Sequence, residues 1–125
     1  MKTLSLFSGA GGLDIGFHRA GFDIIGCVEI EKQYCETLKA NRNNGTYFNP
    51  DAKIYCEDIR NFNPNEFANK GIECVIGGPP CQPFSAAGRR SGGVPGMIEE
   101  NYLKAIVMYW IFYDQEFLFL KMYMD

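Results

Sequence analysis

Apolar residues in the first part of the chain fall into short unbroken runs, and the stretches between them carry helical spacing. Thr3–Phe7 is the first run and ends abruptly at Ser8-Gly9-Ala10-Gly11-Gly12. Leu13, Ile15, Phe17 and Ala20 then form an apolar face closed by Gly21, which predicts a helix over Leu13–Ala20. Asp23–Glu29 is a second run, followed by a predicted helix over Glu31–Asn41 that fades into an Asn- and Gly-rich loop ending at Gly45. Lys53–Cys56 is a third strand, a short helix is expected near Pro64–Ala68, and Ile72–Gly77 is a fourth strand. Strands that are apolar without alternation are buried on both faces. Their alternation with helices predicts an α/β fold, a parallel sheet with helices on both faces. Right-handed crossovers bring the loops that follow the strands to one edge of the sheet, where such folds bind ligands.

Beyond Ser85 the pattern changes. Ala86–Gly96 is a Gly-, Arg- and Ser-rich loop, and Ile98–Met124 is dense in aromatics and Met. Lys104, Asp114, Glu116 and Lys121 interrupt that tail. Charges so frequent do not suit a membrane span, which needs about 20 mainly uncharged apolar residues. One or two helices are the expectation there.

Length and charge narrow the picture further. A chain of 125 residues fits one small domain. Its net charge is −3, and Arg89-Arg90 is the one basic cluster. That balance argues against a complete phosphate-gripping surface while leaving room for a local patch. The five cysteines, Cys27, Cys35, Cys56, Cys74 and Cys81, are odd in number and show no Cys-x-x-Cys spacing. Met1-Lys2-Thr3 leads straight into the first apolar run, so no signal peptide is expected. An intracellular, reduced setting follows, cytoplasmic in a prokaryote, with Cys27, Cys35, Cys56 and Cys74 as small core residues. His18 is the only histidine and has no ligand-spaced partner, so no metal site is expected.

The glycine loop carries the first chemistry. Between a strand and a helix, missing side chains let a ligand approach the backbone closely, although a tight turn alone asks for the same residues. A dinucleotide fingerprint requires a third glycine where Asp14 stands, which disfavours pyrophosphate and suits a cofactor without phosphates. Glu29 ends the second strand about twenty residues on, where a carboxylate accepts from ribose hydroxyls. Ile30 follows and could lie against an adenine face. Asp58-Ile59 repeats the pattern after the third strand, with Asp58 a candidate acceptor for an adenine amino group. The alternative makes both acids helix caps or solvated loop ends.

Gly77-Gly78-Pro79-Pro80-Cys81-Gln82-Pro83-Phe84-Ser85 follows the fourth strand. The prolines fix φ and push the residues before them toward extended conformations. A stiff loop presenting one thiol at a sheet edge suits a nucleophile, and Cys81 is the candidate.

Together these segments resemble the amino-terminal part of the cytosine-5-specific DNA methyltransferase family, over roughly Lys2–Ser85 and more weakly at Asp114–Met124. Leu6–Phe17 resembles its first motif, Gly78–Ser85 its catalytic motif, and Glu29 and Asp58 its acidic cofactor positions. The resemblance implies a Rossmann-like methyltransferase fold, truncated after about four strands. It implies S-adenosylmethionine in contact with Phe7, Gly9, Ala10, Gly11, Glu29, Ile30, Asp58, Ile59 and Pro80. It also implies covalent attack by Cys81 on C6 of a cytosine turned out of double-stranded DNA. Ser85, Arg89 and Arg90 would face the DNA backbone.

On this reading residues 1–85 form the cofactor and catalytic-cysteine part. Residues 86–125 form a mobile catalytic loop and a helical tail. The tail's Asp114–Leu120 resembles the helix before the family's Glu-Asn-Val strand. That strand, the target-recognition region and the closing segment have no counterpart in this sequence, so a truncated or split restriction-modification-type enzyme is expected, completed by a second polypeptide. An insertion within Ala86–Tyr113 would account for the stretch before the tail, or a frameshift after Gly93 for the aromatic-rich tail itself. An inactive remnant, a tRNA cytosine-5-methyltransferase relative and an unrelated nucleotide-binding or oxidoreductase module are the competing readings.

Overall fold

A computed structural model describes residues 1–45, 47–67, 69–78 and 116–117. Its elements are β1 (Lys2–Leu6), α1 (Gly12–Arg19), β2 (Asp23–Glu29), α2 (Lys32–Asn44) and β3 (Lys53–Cys56), then a 3-10 turn (Pro64–Phe67), β4 (Cys74–Gly77) and β5 (Glu116–Phe117). The strands form one sheet in the order β3-β2-β1-β4-β5, and every pairing is parallel. The chain therefore builds outward from β1 to β3 and then crosses back to place β4 on the other side of β1. This reversal puts a switch point between β1 and β4, where the loops leaving two neighbouring strands diverge.

Boundaries depart from the apolar pattern where backbone conformation takes over. β1 stops at Leu6 because Phe7 adopts φ 55°, a left-handed conformation that cannot continue a strand. Helix α2 runs on to Asn44, past the expected end at Asn41. Gly45, at φ 69°, terminates it, and the Arg42 guanidinium ties the last turn to the Ala52 carbonyl at 3.3 Å. β4 starts at Cys74 rather than Ile72, after Gly71 at φ 67°. Glu116–Phe117 corrects the sequence reading at two residues. They form a strand paired with Cys74 and Val75, not part of a helix. The rest of the expected tail helices lies outside the described residues.

Two apolar layers sandwich the sheet. Ile24, Cys27, Leu38, Phe48, Cys74 and Ile76 pack on one face with Leu13 and Phe17 of α1. Leu4, Leu6, Val28, Ile59, Phe62, Phe67 and Val75 pack on the other, around the 3-10 turn. Ile24 and Cys27 share a face although three positions apart, which simple alternation forbids. The pairing explains this. Thr3 opposes Ile24 and Leu4 opposes Gly26, so Ile25 is an extra residue in β2 and the strand changes face there.

Cys27, Cys35 and Cys74 are buried, as expected of small core residues, but Cys56 is exposed. It ends the edge strand β3, whose outer side no further strand covers among the described residues.

Candidate cofactor site

The site is assembled at the carboxyl edge of the sheet from the ends of β1, β2 and β3. Phe7 at φ 55°, Gly9 at φ 55° and Gly11 at φ 90° turn the chain sharply out of β1. The Ser8 hydroxyl bonds back to the Ser5 hydroxyl at 2.9 Å, and the Gly11 amide donates to the Ser8 carbonyl at 3.0 Å. A Cβ on Gly11 would lie 2.9 Å from Leu38 Cδ2, so this glycine lets the loop sit against α2. A Cβ on Gly9 would meet nothing within 4 Å. Gly9 is thus needed for its left-handed backbone, and the space beside it is open to a ligand.

Glu29 is the junction of the site. It is only 7% exposed, yet it is charged and ends a core strand. Its Oε2 accepts from the Gly9 amide at 2.6 Å and its Oε1 from the Glu31 amide at 2.8 Å. Its backbone carbonyl accepts from the Glu57 amide at 2.9 Å and from the Cys35 thiol at 3.4 Å. One residue therefore ties together the glycine loop, the start of α2 and the end of β3. A carboxylate offers about four lone-pair sites, and two backbone amides leave room for a pair of hydroxyl donors. That is the valence a ribose diol needs, and in this respect the residues fit an adenosine cofactor.

The remaining candidates divide. Ile30 is 55% exposed beside Glu29, an apolar surface available to a flat ring. Ala10 is exposed in the glycine loop, and Phe7 packs partly against the core layer around the 3-10 turn. Ile59 is 6% exposed inside that layer, which leaves its backbone for any ligand contact. Asp58 stands at the end of β3, but its carboxylate is already held by Arg60 through the backbone amide at 2.9 Å and through the guanidinium. Hydrogen bonding from Arg60 holds Asp58 below the usual carboxylate range. An amino group reaching Asp58 must share it. Pro80, Cys81, Ser85, Arg89 and Arg90 lie outside the described residues. What is described is the point the cysteine run leaves from. Gly77, at the end of β4, pairs with Leu6, the last residue before the glycine loop.

The model of the C-5 cytosine-specific DNA methylase family matches residues 1–95. The chain belongs to that family. Type II methyltransferase M.AquIA from Picosynechococcus sp. is 40% identical over 113 residues, covering 84% of this chain and 43% of the relative. M.FnuDI from Fusobacterium nucleatum is 47% identical over 92 residues, covering 74% of this chain and 24% of the relative. This methylase-family chain thus spans less than half the length of either. A Spodoptera frugiperda DNMT2 structure superposes with TM-score 0.58 at 20% identity, covering 86% of this chain and 30% of that one. An S-adenosylmethionine-dependent methyltransferase from Clostridium acetobutylicum superposes with TM-score 0.52 at 17% identity, covering 94% and 38%. These two likenesses establish the fold. Among the described residues no helix is long and apolar enough to cross a membrane.

Three features of this candidate site escape the sequence reading. Asp14, read there only as a break in the glycine fingerprint, is fully buried beneath the loop, accepting from the Cys27 thiol at 3.4 Å. Its place between Leu13 and Phe17 on the packed side of α1 is the signal that could have located it. Arg60 across Asp58 carries no sequence signal beyond a two-residue spacing. The bond from the Cys35 thiol to the Glu29 carbonyl depends on how α2 packs against the end of β2.

Proposed function

We propose that this chain carries the S-adenosylmethionine-binding and nucleophile-bearing part of an enzyme that methylates C5 of cytosine in double-stranded DNA. One observation carries the reading. A nearly buried Glu29 carboxylate, with acceptor capacity to spare, is fixed against an open glycine loop. The Pro-Pro-Cys-Gln run departs from the strand next to that loop. Cys81 follows Gly77, the last residue of β4, by four positions in the sequence.

In this reading Glu29 accepts from the ribose hydroxyls, the Gly9–Gly11 backbone gives the close approach, and Ile30 covers one face of the adenine. Asp58 accepts the adenine amino group while remaining paired with Arg60. Phe7, Ala10, Ile59 and Pro80 complete the contacts. When bound, S-adenosylmethionine supplies an electrophilic methyl group on a sulfonium centre. The Cys81 thiolate adds to C6 of the flipped cytosine, forming a C–S bond and moving the C5–C6 π pair onto C5, which takes the methyl group. Loss of the C5 proton to a base returns the electron pair to the ring and expels the thiolate. Ser85, Arg89 and Arg90 contact the DNA backbone. The groups that protonate N3 and read the target come from the further length present in the relatives, on this polypeptide or a second one. Without a proton donor at N3, attack slows by about 100-fold or more. An intracellular location accords with the free thiols at Cys27, Cys35, Cys56 and Cys74.

Trapping on duplex DNA containing 5-fluorocytosine tests this, because fluorine at C5 blocks the elimination that frees the thiolate. With S-adenosylmethionine, and with a polypeptide supplying the remaining length, a covalent adduct is expected for the wild type and none for Cys81→Ser. An adduct that persists in Cys81→Ser, or no adduct under either condition, sinks the proposal.

A further inference from the structure

Cys56 and Cys35 meet behind the cofactor carboxylate. Cys56 ends β3 and is the register partner of Glu29 in the pairing of β2 with β3. Cys35 lies in the first turn of α2, and its thiol donates to the Glu29 carbonyl at 3.4 Å. Both cysteines therefore flank the Glu29 backbone, one from α2 and one from β3. Both are free, Cys35 buried and Cys56 exposed. Two free cysteines brought to the same residue, one of them reachable from solvent, are more than core packing requires. They sit on the two elements that hold Glu29 from behind.

We infer that Cys35 and Cys56 form a redox-active dithiol that closes to a disulfide under peroxide and thereby loosens the Glu29 end of the cofactor site. The order of events follows from exposure. The Cys56 sulfur attacks a peroxide oxygen, breaks the O–O bond and becomes a sulfenic acid, releasing water. The Cys35 sulfur then attacks the Cys56 sulfur and expels a second water, with both thiol protons leaving in the waters. One peroxide is reduced and the two sulfurs are oxidised to one disulfide. Burial first, and then the neighbouring Cys56, push the Cys35 thiol up to about 12, which disfavours it for the first attack. Closure removes the thiol proton that Cys35 donates to the Glu29 carbonyl and ties α2 to β3. The support of the residue that holds the Gly9 amide is thereby changed.

The disulfide stands on its own geometry, whereas its effect on the cofactor rests on the function proposed above, and the test separates them. The full chain, reduced, is treated with hydrogen peroxide, blocked with N-ethylmaleimide and mapped by mass spectrometry. A Cys35–Cys56 linked peptide is expected, with titratable thiols falling from five to three. Cys35→Ser should instead accumulate a dimedone-reactive sulfenic acid at Cys56, and Cys56→Ser should give no link. Dimedone labelling of wild-type Cys56 without a link to Cys35, or a link through Cys81 in its place, overturns the dithiol. Calorimetry with S-adenosylmethionine in a Cys81→Ser background then reads the coupling. About tenfold weaker binding after oxidation, restored by dithiothreitol and absent in Cys56→Ser, is expected. Equal affinities in the two redox states overturn the coupling and leave the disulfide standing. Absence of binding by the reduced protein overturns the cofactor reading and the coupling together, and leaves the peptide map to decide the dithiol alone.

Discussion

Asp14 shows how much one buried carboxyl can impose. It is fully buried, its Oδ1 takes the Cys27 thiol, and its Oδ2 has no hydrogen-bond partner among the described residues. Burial raises its pKa above the ordinary 3.8, while the polar groups of Ser5 and Cys27 beside it pull the other way. The fold therefore favours the protonated acid. Its contribution to stability is fully present below the unfolded-state value and is lost as pH rises through the raised folded value. Asp14→Asn keeps the acceptor and the shape but has no proton to lose. The melting temperature of Asp14→Asn relative to the wild type is expected to climb with pH from about 4 and then level off. Melts at a series of pH values measure this, and a difference independent of pH would contradict it. At this scale the sequence showed the acids but not their surroundings. Glu29 was legible because a charged residue ending an apolar run must face the sheet edge. The burial of Ile59 and the Arg60 contact to Asp58 depend on side chains that meet only after the loop folds.

Two glycines in the strands separate side-chain from backbone constraints at the level of elements. A Cβ on Gly26 of β2 would lie 2.3 Å from Phe67 Cζ, whereas a Cβ on Gly77 of β4 would lie 2.7 Å from the Leu6 carbonyl oxygen. Phe67 is 1% exposed and has nowhere to retreat, so Gly26→Ala is expected to cost about 1–3 kcal/mol through overpacking. Phe67→Leu should recover part of that loss, giving a coupling of about 0.5–3 kcal/mol in a double-mutant cycle. Gly77→Ala clashes with backbone and forces β1 and β4 apart at the switch point. Trimming Leu6 to Ala should give no such recovery. Urea unfolding of the two cycles reads both numbers, and recovery in the Gly77 cycle would refute the backbone argument. The strands at Asp23–Glu29 and Lys53–Cys56 were legible to the residue because unbroken apolar runs end there at polar groups. Leu6, Asn44 and Cys74 as boundaries were not legible, since φ at Phe7, Gly45 and Gly71 sets them. The extra residue at Ile25 was hidden as well, because a run with apolar residues on both sides gives no alternation to break.

Across the whole molecule, the order β3-β2-β1-β4-β5 gathers segments far apart in sequence onto one edge. The glycine loop, Glu29 and the end of β3 are joined by the bonds from Gly9, Glu31 and Glu57 to a single residue. A ligand that binds there draws on three strand ends that exist together only in the folded sheet. It should therefore stabilise the fold as a unit, by RT ln(1 + [L]/Kd). At a hundredfold excess over Kd this is about 2.7 kcal/mol. For a domain of this size it corresponds to a rise in melting temperature on the order of 10 °C. The wild type is expected to show that rise with S-adenosylmethionine, and Glu29→Ala to show little of it. On the proposed function the variant loses the acceptor for the ribose together with that for the Gly9 amide, each such bond being worth about 1.5–3 kcal/mol. Cys81→Ser, at the position the proposed function gives to the attack on cytosine, should keep the full rise. Thermal melts of the three proteins over a range of ligand concentrations decide the matter. A shift that survives in Glu29→Ala would place the adenosine site elsewhere on the sheet, and a shift lost in Cys81→Ser would make the thiol part of the cofactor pocket.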